Sequence, residues 1–275
     1  EMCIRDSTFV ALIGIRDDIR KEVPAAIAEV MGAGIQVVMI TGDNIETAKA
    51  VAEEVGLLAH TGRDGKETPL AVTGRELAAM TDAEVVKILP RLRVVARALP
   101  TDKSRLVRLA QSQGLVTGMT GDGINDAPAL KKADVGFAMG TGTEVAKEAG
   151  DIVILDNNFA SIAKAIRYGR TIFKSIRKFV VFQLTMNLCA VGVSLIAPFI
   201  GVDTPVTVIQ MLWINIIMDT LAGLAFAGEP ALQEYMEERP TKRNEPVLCK
   251  RMIHQIVCTG AYTIGLCPVS YTHLR

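Results

Sequence analysis

The stretch "MTGDGINDAPAL", Met119–Leu130, sets two acids, an amide, two glycines and a proline where an apolar run gives way to a helical one. Asp122 and Asp126 stand four apart around Gly123, Asn125 and Pro128. Glycine lets a backbone come close to a ligand, and proline starts a helix without missing its N–H. Two carboxylates and an amide at such a turn suit a divalent cation with a phosphate. Mg²⁺ takes one or two carboxylates and completes its shell with phosphate oxygen and water. A strand that ends this way belongs to an open α/β sheet, whose ligands lie beyond the carboxyl ends of the strands.

Working outward, short β-branched runs alternate with helical periodicity from Thr8 onward. "TFVALIGI", "IQVVMI", "RVVARA", "LVTGMT", "DVGFAM" and "DIVILD" read as strands. Between them Pro24–Met31, Asn44–Val55, Asp102–Gln111 and Ala127–Lys132 read as helices. This pattern predicts a doubly wound parallel sheet covered by helices, residues 8–160. "HTGRDGKETP", His60–Pro69, is rich in turn formers and reads as a surface loop.

Two further strands should end in polar groups suited to an anion. "MITGDN" places Thr41, Gly42 and Asp43 before a helix, where a hydroxyl and backbone N–H groups favour phosphate. "ARALPTDKSRL" places Lys103 in the first turn of a helix, where the macrodipole disfavours a cation by about 0.3–1 kcal/mol. That lysine needs either a compensating anion or a solvent-facing rotamer. "GTGTEVAKEAGD", Gly140–Asp151, resembles a phosphate loop but reads better as a turn in which Thr143 caps a helix.

Thirty basic residues balance 30 acidic ones, so net charge gives no case for nucleic acid. The five cysteines form no C-x-x-C pair and read as buried thiols in a reducing compartment. No cleavable signal peptide is visible. "FVVFQLTMNLCAVGVSLIAPFIG", Phe179–Gly201, contains no Asp, Glu, Lys, Arg or His. About 22 helical residues rise roughly 33 Å, enough to cross a hydrocarbon core. Pro205–Gly228 repeats the pattern with one acid, Asp219, and residues 179–228 therefore read as a transmembrane hairpin. Lys164, Arg167, Arg170, Lys174, Arg177 and Lys178 precede it, and Arg239, Lys242, Arg243, Lys250 and Arg251 follow it. The positive-inside rule puts both flanks, and hence the α/β domain, in the cytoplasm of a multi-pass membrane protein. Residues 161–178 read as a linking helix continuous with the first span, 229–251 as a cytoplasmic loop, and 252–275 as a partial third membrane helix.

Asp219 falls mid-span, where insertion scales charge a carboxylate about 2.5–3.5 kcal/mol. Asn215 lies one helical turn earlier on the same face, and Asn187 and Gln183 lie in the preceding span. Oxygen donors of this kind suit Ca²⁺. The plainer reading of the two first-span amides is interhelical hydrogen bonding. Met186, Met211 and Met218 lack Cys or His partners at soft-metal spacing and read as packing residues.

"MITGDN", the "PTDK" lysine, "TGDGINDAPALKKADVGFAMGTGTEVAKEAGDIVILDNNF" and "QMLWINIIMDT" together resemble the cation-transporting P-type ATPases, whose phosphorylation domain is haloacid-dehalogenase-like. "INIIMDT" and "RPTKRNEPVL" are most similar to the plasma-membrane type of calcium pump. The resemblance implies that Asp122 binds Mg²⁺, that Asn125 and Asp126 hold the phosphate and metal network, and that Lys103 neutralises an aspartyl phosphate. Thr41 and Gly42 would bind the phosphoryl group and Asp43 would lie toward nucleotide and metal. ATP would be the substrate, and Asn187, Asn215 and Asp219 would hold the transported Ca²⁺ within a lipid bilayer. Ala190 and Met218 stand where two-ion calcium pumps carry a glutamate and a threonine, which implies one Ca²⁺ per cycle. The family's nucleophilic aspartate lies in an Asp-Lys-Thr-Gly-Thr motif that this sequence does not contain. The expectation is therefore a C-terminal pump fragment, inactive alone, with "EMCIRDS" and "CPVSYTHLR" extraneous. Rival expectations are a pump for Mn²⁺, Na⁺ or H⁺, a membrane-anchored phosphatase of the same fold, and a noncatalytic interaction remnant.

Overall fold

A computed structural model describes residues 18–58, 68–201 and 207–273. The expected strand "TFVALIGI" and most of the His60–Pro69 loop lie outside the described residues. Helix α1 (Val23–Gly32) leads to β1 (Met39–Ile40), α2 (Ile45–Glu54) and β2 (Leu70–Thr73). Helices α3 (Gly74–Ala79) and α4 (Asp82–Ile88) follow, then β3 (Leu92–Ala96) and α5 (Pro100–Ser112). The second half runs β4 (Gly118–Gly121), α6 (Ala127–Lys132), β5 (Val135–Met139), α7 (Glu144–Ala149) and β6 (Ile152–Ile154).

The described strands form two three-stranded parallel sheets, ordered β1-β3-β2 and β4-β5-β6. Central strand β3 is buried on both faces, with Leu92, Val94, Val95 and Ala96 at zero exposure. Leu92 and Val95 join Leu77, Val85, Leu106 and Leu109 on one side, while Val94 and Ala96 join Ile27, Ala48 and Ala52 on the other. Helices thus cover both faces, as a near-continuous apolar strand requires. The other sheet packs Met119 against Val107, Leu130 and Ala146 on one side. On the other side Phe137 and Ile154 meet Ile162, in the helix that follows β6.

Two departures from the sequence pattern have local causes. "IQVVMI" is strand only at Met39–Ile40, because the Gln36 side chain donates to the Leu89 and Leu92 carbonyls, both at 2.8 Å, and holds the chain there without a ladder. The unexpected segment β2–α3–α4 is set by two capping boxes, Thr73 with Glu76 and Thr81 with Glu84.

Helix α8 (Phe159–Ile196) is unbroken from the α/β domain into the first apolar span, and its 38 residues rise roughly 57 Å. A 3₁₀ turn (Ala197–Ile200) ends it at Gly201, in the left-handed region at φ 82°. Helix α9 (Val208–Ala227) follows, then a 3₁₀ turn (Gln233–Met236) and α10 (Lys250–His273). Helix α8 with its 3₁₀ extension, and α9, are both long and apolar enough to cross a membrane, and α9 buries no residue within the chain. An apolar helix left bare in this way calls for lipid or neighbouring helices rather than water. The third apolar stretch is helical over Lys250–His273 and packs on α8, with Gly260 against Leu188 and Gly192 against Ile264.

Candidate functional site

Residue Thr41 continues the β1 ladder by donating its N–H to the Val95 carbonyl at 2.9 Å. Its hydroxyl donates to Asp43 Oδ2 at 2.7 Å and accepts the Asp43 N–H at 3.1 Å, so the side chain is held in one orientation. Helix α2 begins directly after this turn, and its N-cap Asn44 makes no side-chain cap. A Cβ added at Gly42 would meet nothing within 4 Å, so packing in the chain does not demand glycine there.

The Arg97 and Ala98 N–H groups donate to the carbonyls of Asp43 and Thr41, each at 3.0 Å, and fasten this turn to the β3–α5 connection. Arg97 is exposed at the carboxyl end of β3 with φ 49°, a left-handed backbone that bulky side chains rarely adopt. Sequence reasoning passed over this cation, for which only its place between a strand and the "PTDK" helix could have argued. Beyond it, the α5 N-terminus carries Asp102, buried and accepting the Leu99 N–H at 2.9 Å, and then Lys103.

Lys103 finds its compensating anion in Asp126, with Nζ 2.5 Å from Oδ1 and side chains only 17% and 10% exposed. The other carboxylate oxygen of Asp126 accepts the N–H groups of Asp122 and Gly123, at 3.3 and 3.4 Å. The loop is drawn so close that a Cβ at Gly121 would stand 2.4 Å from Asp126 Cβ. The "GTGT" turn buttresses the opposite side. There the Thr143 N–H donates to the Asp122 carbonyl at 2.8 Å, and a Cβ at Gly142 would lie 2.8 Å from that same oxygen. Thr143 also caps α7 through the Ala146 N–H. Asp122 and Asn125 are exposed at the end of β4, whereas Asp126 is buried.

Of the two carboxylates expected to face a metal, only Asp122 is open. Asp126 is engaged by an ammonium and two backbone donors. Asp122 and the Asn125 amide fit Mg²⁺, which needs as little as one protein carboxylate beside phosphate and water. Thr41, Asp43 and Lys103 follow strands of one sheet and Asp126 follows a strand of the other, so the Lys103–Asp126 pair joins the two.

In the membrane helices Asn215 and Asp219 lie one turn apart on α9, Asn215 half-buried and Asp219 exposed. Asn187 is exposed on α8, and no hydrogen bond joins it to either among the described residues. Past the α/β sheets, α8 is fastened to the segment after α9. Arg167 donates to Gln233 at 2.6 Å, and Arg170 donates to the carbonyls of Tyr235, Glu238 and Ala33 at 2.7, 2.9 and 2.8 Å. Lys174 pairs with Glu238, and Arg177 with Glu245 at 3.1 Å. Burial pushes the Arg170 guanidinium below its ordinary range, an effect the nearby Glu238 opposes.

Residues 3–134 and 116–166 match models described as haloacid dehalogenase-like hydrolase, and residues 203–274 match one described as cation transporting ATPase, C-terminus. Calcium-transporting ATPase 2 of Schizosaccharomyces pombe is 44% identical over 269 residues, which are 97% of this chain and 20% of that protein. Plasma membrane calcium-transporting ATPase 1 of Mus musculus is 46% identical over 268 residues, 94% of this chain and 22% of the relative. Calcium-transporting ATPase 8, plasma membrane-type, of Arabidopsis thaliana is 43% identical over 262 residues, 95% and 24%. The crystal structure of a zinc-transporting PIB-type ATPase in its E2.Pi state superposes with a TM-score of 0.51 at 27% identity, over 81% of this chain and 28% of that one. The chain therefore spans about a fifth of the length of the curated relatives it matches. With the phosphate-site motifs at the strand ends and the domain running into membrane-length helices, the chain belongs to the P-type ATPase family.

Proposed function

We propose that this chain is the phosphoryl-binding and cation-path segment of an ATP-driven Ca²⁺ transporter that works through an aspartyl phosphate. The observation that carries the reading is the Lys103–Asp126 pair at the foot of an open Asp122, in a domain whose last helix continues unbroken into the membrane. Asp126 holds Lys103 Nζ and the Asp122–Gly123 backbone, so that a cation and a carboxylate face the same space without collapsing on one another. Lys103 offsets phosphoryl charge, Thr41 and Gly42 donate to its oxygens, and Asp43 fixes the Thr41 hydroxyl. Arg97 adds a cation at the mouth, suited to the anionic substrate ATP. Asp122 with Asn125 would hold Mg²⁺, which when bound neutralises negative charge on the transferring group. The residues present bind and orient a phosphoryl group.

The names of the relatives support Ca²⁺ as the cargo, and the donors support it independently. Asn215, Asp219 and Asn187 are hard oxygen ligands placed in apolar helices where a carboxylate needs a partner. The basic flanks of the hairpin support a cytoplasmic side for the α/β domain. The test is phosphoenzyme formation in the complete protein. Asp219→Asn should abolish Ca²⁺-activated phosphorylation from ATP while phosphorylation from inorganic phosphate persists. Retained Ca²⁺ activation would remove Asp219 from the site and the cargo assignment with it.

A further inference from the structure

Helix α9 buries no residue, and its aromatic contacts with α8 lie at its C-terminal end. There Phe226 sits edge-on against Phe179 and Phe182, with ring centroids 6.4 and 6.3 Å apart. Just past the helix, Glu229 pairs with Lys178 and accepts the Ser175 hydroxyl at 3.0 Å. Ser175, Phe179 and Phe182 recur at helical spacing, so aromatic rings and an ion pair close one end of the hairpin along a single stripe of α8.

The polar side chains beyond this closure differ in how they are satisfied. Thr185, Ser194, Thr220 and Thr263 each donate to the carbonyl four residues back in their own helix, at 2.7–2.9 Å. Such groups need nothing from outside. Gln183 differs, because its Oε1 is buried with no hydrogen-bond partner. A sealed amide oxygen without a donor is destabilising and calls for an explanation beyond packing. Gln183 stands one turn from Asn187 and directly after Phe182, between the closure and the proposed Ca²⁺ ligands.

We propose that Gln183 supplies a further oxygen on the cation path, one turn to the cytoplasmic side of Asn187, and that the Phe226 closure braced by Lys178–Glu229 is the gate behind which it is sealed. The inference rests on the transport reading above. Opening the rings gives the Gln183 carbonyl access to an arriving cation, and closing them leaves it unpaired behind the occluded ion.

The experiment uses the complete protein in membranes, with Ca²⁺ as the probe. Gln183→Leu should raise the Ca²⁺ concentration for half-maximal phosphorylation at least tenfold, with Gln183→Asn intermediate. Its thermal midpoint should stay level or rise, because an unpaired buried amide oxygen has been removed; a purely structural glutamine would show a fall. Phe226→Ala should speed ⁴⁵Ca²⁺ release to the cytoplasmic side at least fivefold. Half-activation and release rates within twofold of the parent in both variants would overturn the inference while leaving the transport reading intact. A parent protein whose phosphorylation ignores Ca²⁺ altogether would overturn both.

Discussion

Replacing Asp126 by asparagine tests whether the ammonium of Lys103 is positioned by that carboxylate or merely lies near it. The amide keeps an oxygen for the Asp122 and Gly123 N–H groups, so the substitution removes charge more than shape. Two unit charges about 4 Å apart interact by roughly 4 kcal/mol at an effective dielectric of about 20. Removing one partner of a buried pair typically costs about 3–5 kcal/mol because the other charge is left stranded. The side chains here are 17% and 10% exposed, close to that limit but not at it. A loss of about 3 kcal/mol, the low end of that range, is therefore expected. For a domain of this size that corresponds to a fall in Tm of roughly 6–12 °C.

The decisive quantity is the coupling. Lys103→Met alone strands the carboxylate, Asp126→Asn alone strands the ammonium, and the double variant strands neither, so its loss should fall short of the sum by at least about 1.5 kcal/mol. The assay is thermal unfolding in detergent micelles followed by circular dichroism. The sole tryptophan, Trp213, lies on α9, so its fluorescence follows the hairpin separately and shows whether the α/β domain melts on its own. A coupling below about 0.5 kcal/mol, the value of an exposed ion pair, would refute the holding role of Asp126 and the reading of the site built on it.

Gly121→Ala should destabilise the α/β domain by about 1–3 kcal/mol, because the new Cβ stands 2.4 Å from Asp126 Cβ; an unchanged Tm would contradict the close approach. Burial raises the Asp134 carboxyl, but hydrogen bonds from Thr117, with help from Gln111 and Arg243, outweigh it and hold the group below its ordinary range. Its contribution is thus present above the ordinary carboxylate range and lost as pH falls through the depressed value, so Asp134→Asn should be less stable than the parent at pH 7 and converge with it as pH falls below that range. A stability difference constant across that range would contradict the assignment. Arg170→Ala uncouples three carbonyls from one guanidinium and should lower stability by about 2–4 kcal/mol, with Arg170→Lys recovering only part of it; full recovery by lysine would show that the charge alone matters.

Much of the catalytic face was legible because strand ends concentrate unusual chemistry. "TGDN", "PTDK" and "TGDGINDAP" each follow a run of apolar residues, and the misfit of Lys103 with the helix dipole already asked for an anion. That the anion is Asp126 is a three-dimensional fact with no sequence signal, since the partners are 23 residues apart. The segment β2–α3–α4 was missed for a different reason. Its capping boxes were readable, but the helices between them are only six and seven residues long, too short for a period to emerge. Arg97 was invisible because nothing in composition marks a backbone bent to φ 49°.

The basic run before the hairpin shows how one sequence feature can carry two physical meanings. Arg167, Arg170, Lys174, Arg177 and Lys178 read as a topological signal, cations that stay on the cytoplasmic side of the membrane. In the fold, each of them is also bonded to a residue between Glu229 and Pro246, the segment that connects α9 to α10. A helix of roughly 57 Å supported only at its ends would bend, and a movement at the sheet would be absorbed along its length. Fastened at successive turns to a segment that also reaches α1 through Gln233 and Glu29, α8 is stiffened where it leaves the domain. On the transport reading proposed above, the same cations orient the hairpin in the bilayer and brace the helix that joins the α/β domain to it.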